Sequence, residues 1–168
     1  MLKAQPSIAK LKIDRINRKI LIELQKNGRT ANADLAKLVN LSATPCLRRI
    51  RDMETSGLIT GYRAIIDRKK AGFGFRAFLG IMRSRDSDRH VMWSQITQLP
   101  EVIGCYLISG EFDLLVDVVA EDLDSFSNVL LEKIIEIPGV RQTSTMIILR
   151  ELVSGASLPM EALDRIDD

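Results

Sequence analysis

The sequence contains one histidine, His90, in 168 residues. A metal site built from clustered imidazoles is therefore excluded within one chain, because such sites draw on several His or Cys ligands. Cysteine is almost as scarce. Cys46 and Cys105 lie far apart with no paired spacing, and they read as free thiols of a reducing cytoplasm, each a small apolar filler. No apolar run approaches the roughly 20 residues that a membrane-spanning helix requires, so no membrane is expected as a partner. The N-terminal segment MLKAQPSIAKLK is basic but has no continuous apolar core, which makes it a poor signal peptide. No G-x-x-x-x-G-K-[ST], G-x-G-x-x-G or G-x-S-x-G run occurs, so the nucleotide-loop and hydrolase signatures are missing. Asp113 and Asp117 share one face of a predicted strand, but a single carboxylate pair is a weak acid–base signal. The expectation is a protein that is not an enzyme and holds neither metal nor cofactor.

What is present is an ordinary globular composition, 46% apolar and 27% charged, in a chain long enough for one large domain or two small ones. The formal charge of +2 conceals a strong asymmetry. Residues 1–66 hold 13 Lys and Arg against 5 Asp and Glu, a net of +8, whereas residues 67–168 hold 11 against 17, a net of −6. An anionic partner that meets only the first part is implied. Nucleic acid fits, since neutralising its phosphates releases counterions; two domains that differ in charge by chance are the plainer alternative.

Apolar residues at Ile13, Ile16, Ile20, Leu21 and Leu24 predict a helix with one buried stripe, ended by Asn27-Gly28 with glycine in a left-handed cap. A second helix is predicted over residues 33–39, started by Thr30 or Asn32, and Asn40-Leu41-Ser42 makes a tight turn. Ser42 looks like the N-cap of a third helix, with Pro45 in its first turn where a missing N–H costs nothing. That helix is expected to point Leu47, Ile50, Met53 and Glu54 inward or to the flank, and to stop at Ser56-Gly57. Residues 58–59 and 62–66, around Gly61, read as a two-stranded ribbon. Residues 1–66 thus predict a winged helix-turn-helix.

Residues 67–74 read as a linker. The pattern then changes: strand-like residues 75–83, a helix over 88–99 closed by Pro100, strands over 102–109 and 114–120, a helix over 123–135 capped by Asp122, and a strand over 140–149. This is the βαββαβ order of a ferredoxin-like domain spanning residues 75–152, so the fold class is α+β. Met82, Met92 and Trp93 read as core, and residues 153–168 as a polar tail. Leu114, Val116 and Val118 alternate with Leu115 and Val119, which makes that strand apolar on both faces. The helices cover one face only, so the other is expected to pack on a second copy.

The third helix carries the strongest functional signal. Its wheel turns Thr44, Pro45 and Arg48 outward with Arg49 and Arg51 on the flanks. Hydroxyls at a helix start, here Ser42 and Thr44, suit phosphate contacts, and an arginine can bridge guanine O6 and N7 with two parallel hydrogen bonds. Such a run is usually only a solvated face. The third helix of a trihelical unit, however, is where a reader of the major groove must lie, so double-stranded DNA is the expected partner. Lys37, Arg29 and Arg63 are candidates for phosphate contacts, as are Arg15, Arg18 and Lys19 on the first helix.

The runs LKIDRINRKILIELQKNGR and LAKLVNLSATPCLRRIRDMETSGLITGY resemble the DNA-binding half of the Lrp/AsnC, or feast/famine, regulators. CYLISGEFDLLVDV and IPGVRQTSTMIIL resemble their effector-binding half. The resemblance runs from about Leu11 to Leu152. It implies dimers assembled into tetramers or octamers, an amino-acid effector, and a cytoplasmic, nucleoid-associated bacterial protein. It also implies effector contacts at Gly110 and Asp113 and near Thr143, Thr145 and Ile147. Chemistry gives the turn independent sense. Gly110 allows backbone N–H groups to approach a carboxylate, and the Asp113 carboxylate can accept an ammonium, with Ser109 and Thr145 adding hydrogen bonds. An ordinary hairpin turn with Asp113 as a local cap is the plainer reading. Two other functions stay open: an enzyme like the sirohaem decarboxylases, which resemble this family, and an architectural protein that wraps DNA with little sequence preference.

Overall fold

A computed structural model describes residues 13–153, 155 and 157–165; the segment 1–12, read above against a signal peptide, lies outside them. The chain divides into two compact units, one comprising residues 1–64 with 153–168 and the other residues 65–152.

In the first unit, α1 (Arg15–Lys26), α2 (Asn32–Leu38) and α3 (Ala43–Thr55) enclose a core of Ile20, Leu21, Leu35, Ala36, Val39, Cys46, Ile50 and Met53. Asp14 caps α1, its carboxylate accepting the Asn17 N–H at 2.7 Å. The α2–α3 turn is closed by Leu41 N–H to the Ala36 carbonyl and Asn40 N–H to the Lys37 carbonyl, with Asn40 in the left-handed region at φ 56. Asparagine tolerates that conformation, and the pair of bonds satisfies carbonyls at the end of α2.

Several expectations are corrected here. The residue capping α1 at its end is Asn27, in an extended conformation, and Gly28 is not left-handed. Ala31 rather than Thr30 or Asn32 stands at the N-cap of α2, and Ser42 sits at the N-cap of α3 without a side-chain cap hydrogen bond. On α3 the buried stripe is Cys46, Ile50 and Met53, while Leu47 and Glu54 are exposed. The ribbon does not form, and residues 60–66 run without strand pairing. A lone two-stranded ribbon is marginal in water. Tyr62 instead donates its hydroxyl hydrogen to a Glu54 carboxylate oxygen at 3.0 Å, pinning this stretch to α3. Nor is the C-terminal segment merely polar. It packs a 3-10 helix (Met160–Arg165) against α1 and buries Met160 in the helical core. The Gln25 amide brackets Leu158, accepting its N–H at 2.6 Å and donating to its carbonyl at 3.3 Å.

The second unit is a four-stranded antiparallel sheet in the order β2-β3-β1-β4, from β1 (Phe75–Arg83), β2 (Val102–Leu107), β3 (Leu114–Ala120) and β4 (Val140–Ile147). One face carries Ala77, Leu79 and Ile81 of β1 beside Val118, Val116 and Leu114 of β3. Over these pack Met92 and Ile96 of α4 (Arg89–Thr97) and Phe126, Leu130 and Ile134 of a second helical stretch. That stretch runs as α5 (Leu123–Ser125), a π-helical segment (Phe126–Leu131) and α6 (Glu132–Ile135). Asp122 caps it through the Ser125 N–H at 2.7 Å. Residues 67–74 form an internally bonded turn in which Phe73 N–H reaches the Arg68 carbonyl at 2.8 Å and Gly74 N–H reaches Glu121 at 3.0 Å.

The other sheet face mixes apolar Phe78, Leu115 and Met146 with polar Ser144 and Gln142 and one buried ion pair. Asp117 is buried there and accepts two hydrogen bonds from the Arg76 guanidinium, at 2.9 and 2.7 Å, while Arg76 also holds Glu151 at 3.0 Å. A buried charge is tolerated only when paired in this way.

Candidate DNA interface and effector turn

Burial of Cys46, Ile50 and Met53 leaves the opposite side of α3 in solvent. Thr44, Arg48 and Arg51 are exposed on that side, as is Ser42 at the helix start, with Pro45 half-buried beside them. Residues three, four and seven apart share a helix face, so Thr44, Leu47, Arg48 and Arg51 make one stripe. Leu47, which hydropathy assigned to the core, joins the display at 36% exposure. Cys46 lies beneath it, and burial pushes its thiol up from its usual range, which suits an inert filler.

Arg49 behaves differently. Its guanidinium turns to α1, donating to the Asp14 carboxylate at 2.6 Å and to Asn17 Oδ1 at 2.9 Å. Burial raises the Asp14 pKa, but the Asn17 N–H and Arg49 outweigh it and hold the carboxyl below its ordinary value. Arg18 is buried and donates to the Ile13 carbonyl at 3.3 Å, so it is not on the phosphate-facing surface that its charge suggested. Arg15, Lys19, Arg29 and Arg63 are exposed, and Lys37 is exposed beside Asp34 at 3.2 Å. Asn32, absent from the sequence-based candidates, links α2 to α3 by donating to the Ala43 carbonyl at 2.9 Å.

In the second unit, the turn between β2 and β3 holds Ser109 and Gly110 exposed. Gly110 has φ 135, which side chains rarely allow, and open space surrounds the position where a Cβ would stand. Phe112 folds its ring back over Gly80 of β1, where a Cβ would lie 2.6 Å from the ring. Asp113 is tied to the end of β1: its N–H donates to the Ile81 carbonyl at 3.0 Å and its Oδ2 accepts the Arg83 N–H at 2.9 Å. Its carboxylate thus ties the turn to Arg83 at the end of β1, 30 residues away in the sequence. Thr143, Thr145 and Ile147 stand opposite Ile81, Leu79 and Ala77, on the helix-covered face of the edge strand. Ile147 remains 48% exposed there. Asp113 and Thr143 therefore flank the same end of β1, from opposite sides, while Thr145 and Ile147 lie progressively further along it. Among the described residues, no group of three His, Cys, Asp or Glu side chains is placed to hold a metal ion, and no helix is long and apolar enough to cross a membrane.

Comparison with known proteins places these two units together in one family. A winged helix-turn-helix DNA-binding family matches residues 13–60, and the Lrp/AsnC ligand binding domain matches residues 76–158. The leucine-responsive regulatory protein of Rhizobium meliloti is 35% identical over 147 residues, covering 86% of this chain and 94% of that protein. The chain belongs to the Lrp/AsnC family. The Escherichia coli K12 leucine-responsive regulatory protein is 37% identical over 142 residues, covering 83% of this chain and 87% of its own. A transcriptional regulator of Neisseria meningitidis, crystallised with L-methionine, superposes with a TM-score of 0.86 at 32% identity, covering 89% of this chain and 98% of that one. The feast or famine regulatory protein of M. tuberculosis, also with L-methionine, gives a TM-score of 0.78 at 29% identity over 84% and 95% of the two chains. Membership makes the chain a DNA-binding regulator of transcription and gives the basic first unit its role. The relatives matched are regulators rather than enzymes.

Proposed function

We propose that this Lrp/AsnC regulator reads a specific duplex through α3 and changes its affinity for that duplex when an amino acid binds its second unit. One observation carries the reading: Arg48 and Arg51 are exposed on the side of α3 opposite its buried stripe. Ser42, Thr44 and Pro45 at the helix start, together with Lys37 and Arg63, are the proposed contacts to the DNA backbone. Ser109, Gly110 and Asp113, with Thr143, Thr145 and Ile147, are the proposed effector contacts. Relatives solved with L-methionine and others named leucine-responsive point to an apolar amino acid.

The uncovered sheet face supports a homodimer. Tyr106 and Met146 stand there 53% and 41% exposed, beside half-buried Phe78 and Leu115, and a second copy would remove them from water. Assembly of dimers to tetramers or octamers, and residence with the nucleoid in a bacterial cytoplasm, complete the reading.

The test is salt-dependent duplex binding. Affinity for a duplex enriched from genomic fragments should fall steeply with ionic strength. Arg48→Ala should weaken sequence preference by about 1–3 kcal/mol. A flat salt dependence, or an unchanged footprint in the variant, would refute the interface. In parallel, an amino-acid thermal-shift series should raise the melting temperature of wild type but not of Asp113→Ala.

A further inference from the structure

We infer that Arg49, although it belongs to the arginine run of the recognition helix, is a positioning residue: held by Asp14 and Asn17 of α1, it fixes the pitch of α3 so that Arg48 and Arg51 meet the groove, and it makes no contact with DNA itself. This role rests on the function proposed above. Successive residues of a helix are about 100° apart, so Arg48 and Arg49 cannot face the same partner, whereas Arg48 and Arg51 can. The direction of Arg49 is set by a closed triangle. One oxygen of Asp14 accepts the Asn17 N–H at 2.7 Å, the other accepts Arg49 Nη1 at 2.6 Å, and Asn17 Oδ1 accepts the same nitrogen at 2.9 Å.

Both acceptors are themselves fixed. Asp14 is the N-cap of α1, and Asn17 lies in that helix's first turn. Arg49 is the more sheltered partner, its side chain 29% exposed against 49% for Asp14. Reaching a phosphate would require it to abandon two charge-assisted or polar bonds, with the Asp14 carboxylate left facing the DNA. The triangle instead joins the first helix to the third at a point of their contact where neither side chain is part of the apolar core. An exposed ion pair adds little to stability by itself. Here its consequence is angular: a small tilt of α3 moves Arg48 and Arg51 off base edges that must be met within hydrogen-bond tolerance.

The experiment uses the full-length protein and a duplex that wild type enriches from a randomised library, with a scrambled duplex as reference. The readouts are the ratio of the two affinities and the slope of log affinity against log salt. Asp14→Asn is the informative variant, since asparagine still caps a helix but carries no charge to hold Arg49. The ratio cancels the general gain from removing an acidic group near DNA. Expected are similar losses of preference, about tenfold, in Arg49→Ala and Asp14→Asn, no further loss in the double variant, and a salt slope in Arg49→Ala equal to that of wild type. Should either variant fail to fold, Asn17→Ala, which removes one acceptor, is expected to give a smaller loss with the slope unchanged. A slope in Arg49→Ala shallower by about 0.9, the signature of one lost phosphate contact, overturns the inference. So does Asp14→Asn with full preference beside an impaired Arg49→Ala, or full preference in all three single variants. A wild-type protein that prefers no duplex overturns the regulatory function itself, and with it this role, before any variant is compared.

Discussion

Replacing Met160 by alanine isolates what the C-terminal return contributes to the DNA-binding unit. Met160 is 6% exposed and belongs to the same apolar cluster as Ile20, Leu21 and Met53. Truncating a buried methionine to alanine costs about 2–5 kcal/mol, depending on how far the surroundings collapse into the space. The low end, about 2 kcal/mol, applies here, because the side chain rides on a single short 3-10 helix that can settle toward α1, and because a segment that lets go regains backbone freedom. The Gln25–Leu158 bonds are untouched by the change. A loss of about 2 kcal/mol is roughly a 30-fold increase in the opening constant. Hydrogen exchange followed by mass spectrometry reads that number by segment: peptides from α1 should exchange about 30-fold faster, while β1 and β3 peptides should be unaffected. If α1 exchanges at the wild-type rate, Met160 is not part of this core and the C-terminal segment is dispensable to the unit.

Arg76→Leu strands the buried Asp117 carboxylate and should cost about 3–5 kcal/mol in urea unfolding, whereas Arg76→Leu/Asp117→Leu, which removes both charges, should cost much less; equal losses would mean that the pair's charge is irrelevant. Asp14 has its pKa lowered in the folded state, so its contribution to stability is full above the ordinary carboxyl value and is lost as pH falls through the lower folded value. Wild type and Asp14→Asn should therefore differ in melting temperature near neutrality and converge in strong acid, and a gap that widens in acid would reverse the assignment. Leu47 stands on the displayed stripe of α3, where an apolar side chain suits a thymine methyl. Substituting deoxyuridine for one thymine of the enriched duplex should weaken wild-type binding roughly fourfold, as expected for one methyl-sized group, and leave Leu47→Ala indifferent; equal penalties in both proteins would return Leu47 to a packing role.

How far the sequence could be read depended on the range of the interactions involved. The strands and the Asp122 cap of α5 follow from periodicity and local side-chain chemistry, and they lie close to where pattern placed them. The phase of α3 did not follow. Two stripes were available, Cys46-Ile50-Met53 and Leu47-Ile50-Met53 flanked by Glu54, and hydropathy favours the one with leucine. Only the packing of α1 and α2 against α3 decides for cysteine, and that information is not local. The absent ribbon has a similar cause, since Tyr62 found Glu54 rather than a cross-strand neighbour. Met160 was hidden by distance: one methionine in a polar segment gives no sign that it joins a core formed more than 100 residues earlier in the chain. The Arg76–Asp117 pair spans two strands whose adjacency is fixed only by the sheet order.

That same order brings the two segments proposed as effector contacts, far apart in sequence, to one end of the sheet. β1 is central, with β3 on one side and β4 on the other. Leu114 and Thr143 both pair with Ile81, which sets them two strand spacings apart, about 10 Å. The Gly110–Asp113 turn leads directly into Leu114, so its carboxylate and the hydroxyl-bearing edge strand belong to the same end of the sheet. Asp113 uses Oδ2 for the Arg83 N–H, and its Oδ1 lies 3.9 Å from Arg83 Nε. A carboxylate fixed by one oxygen and loosely paired through the other is a preorganised acceptor: an incoming ammonium competes with the long Arg83 contact, not with the backbone bond that holds the turn. The structural and ligand-binding readings of Asp113 are therefore compatible, since each makes its principal use of a different oxygen.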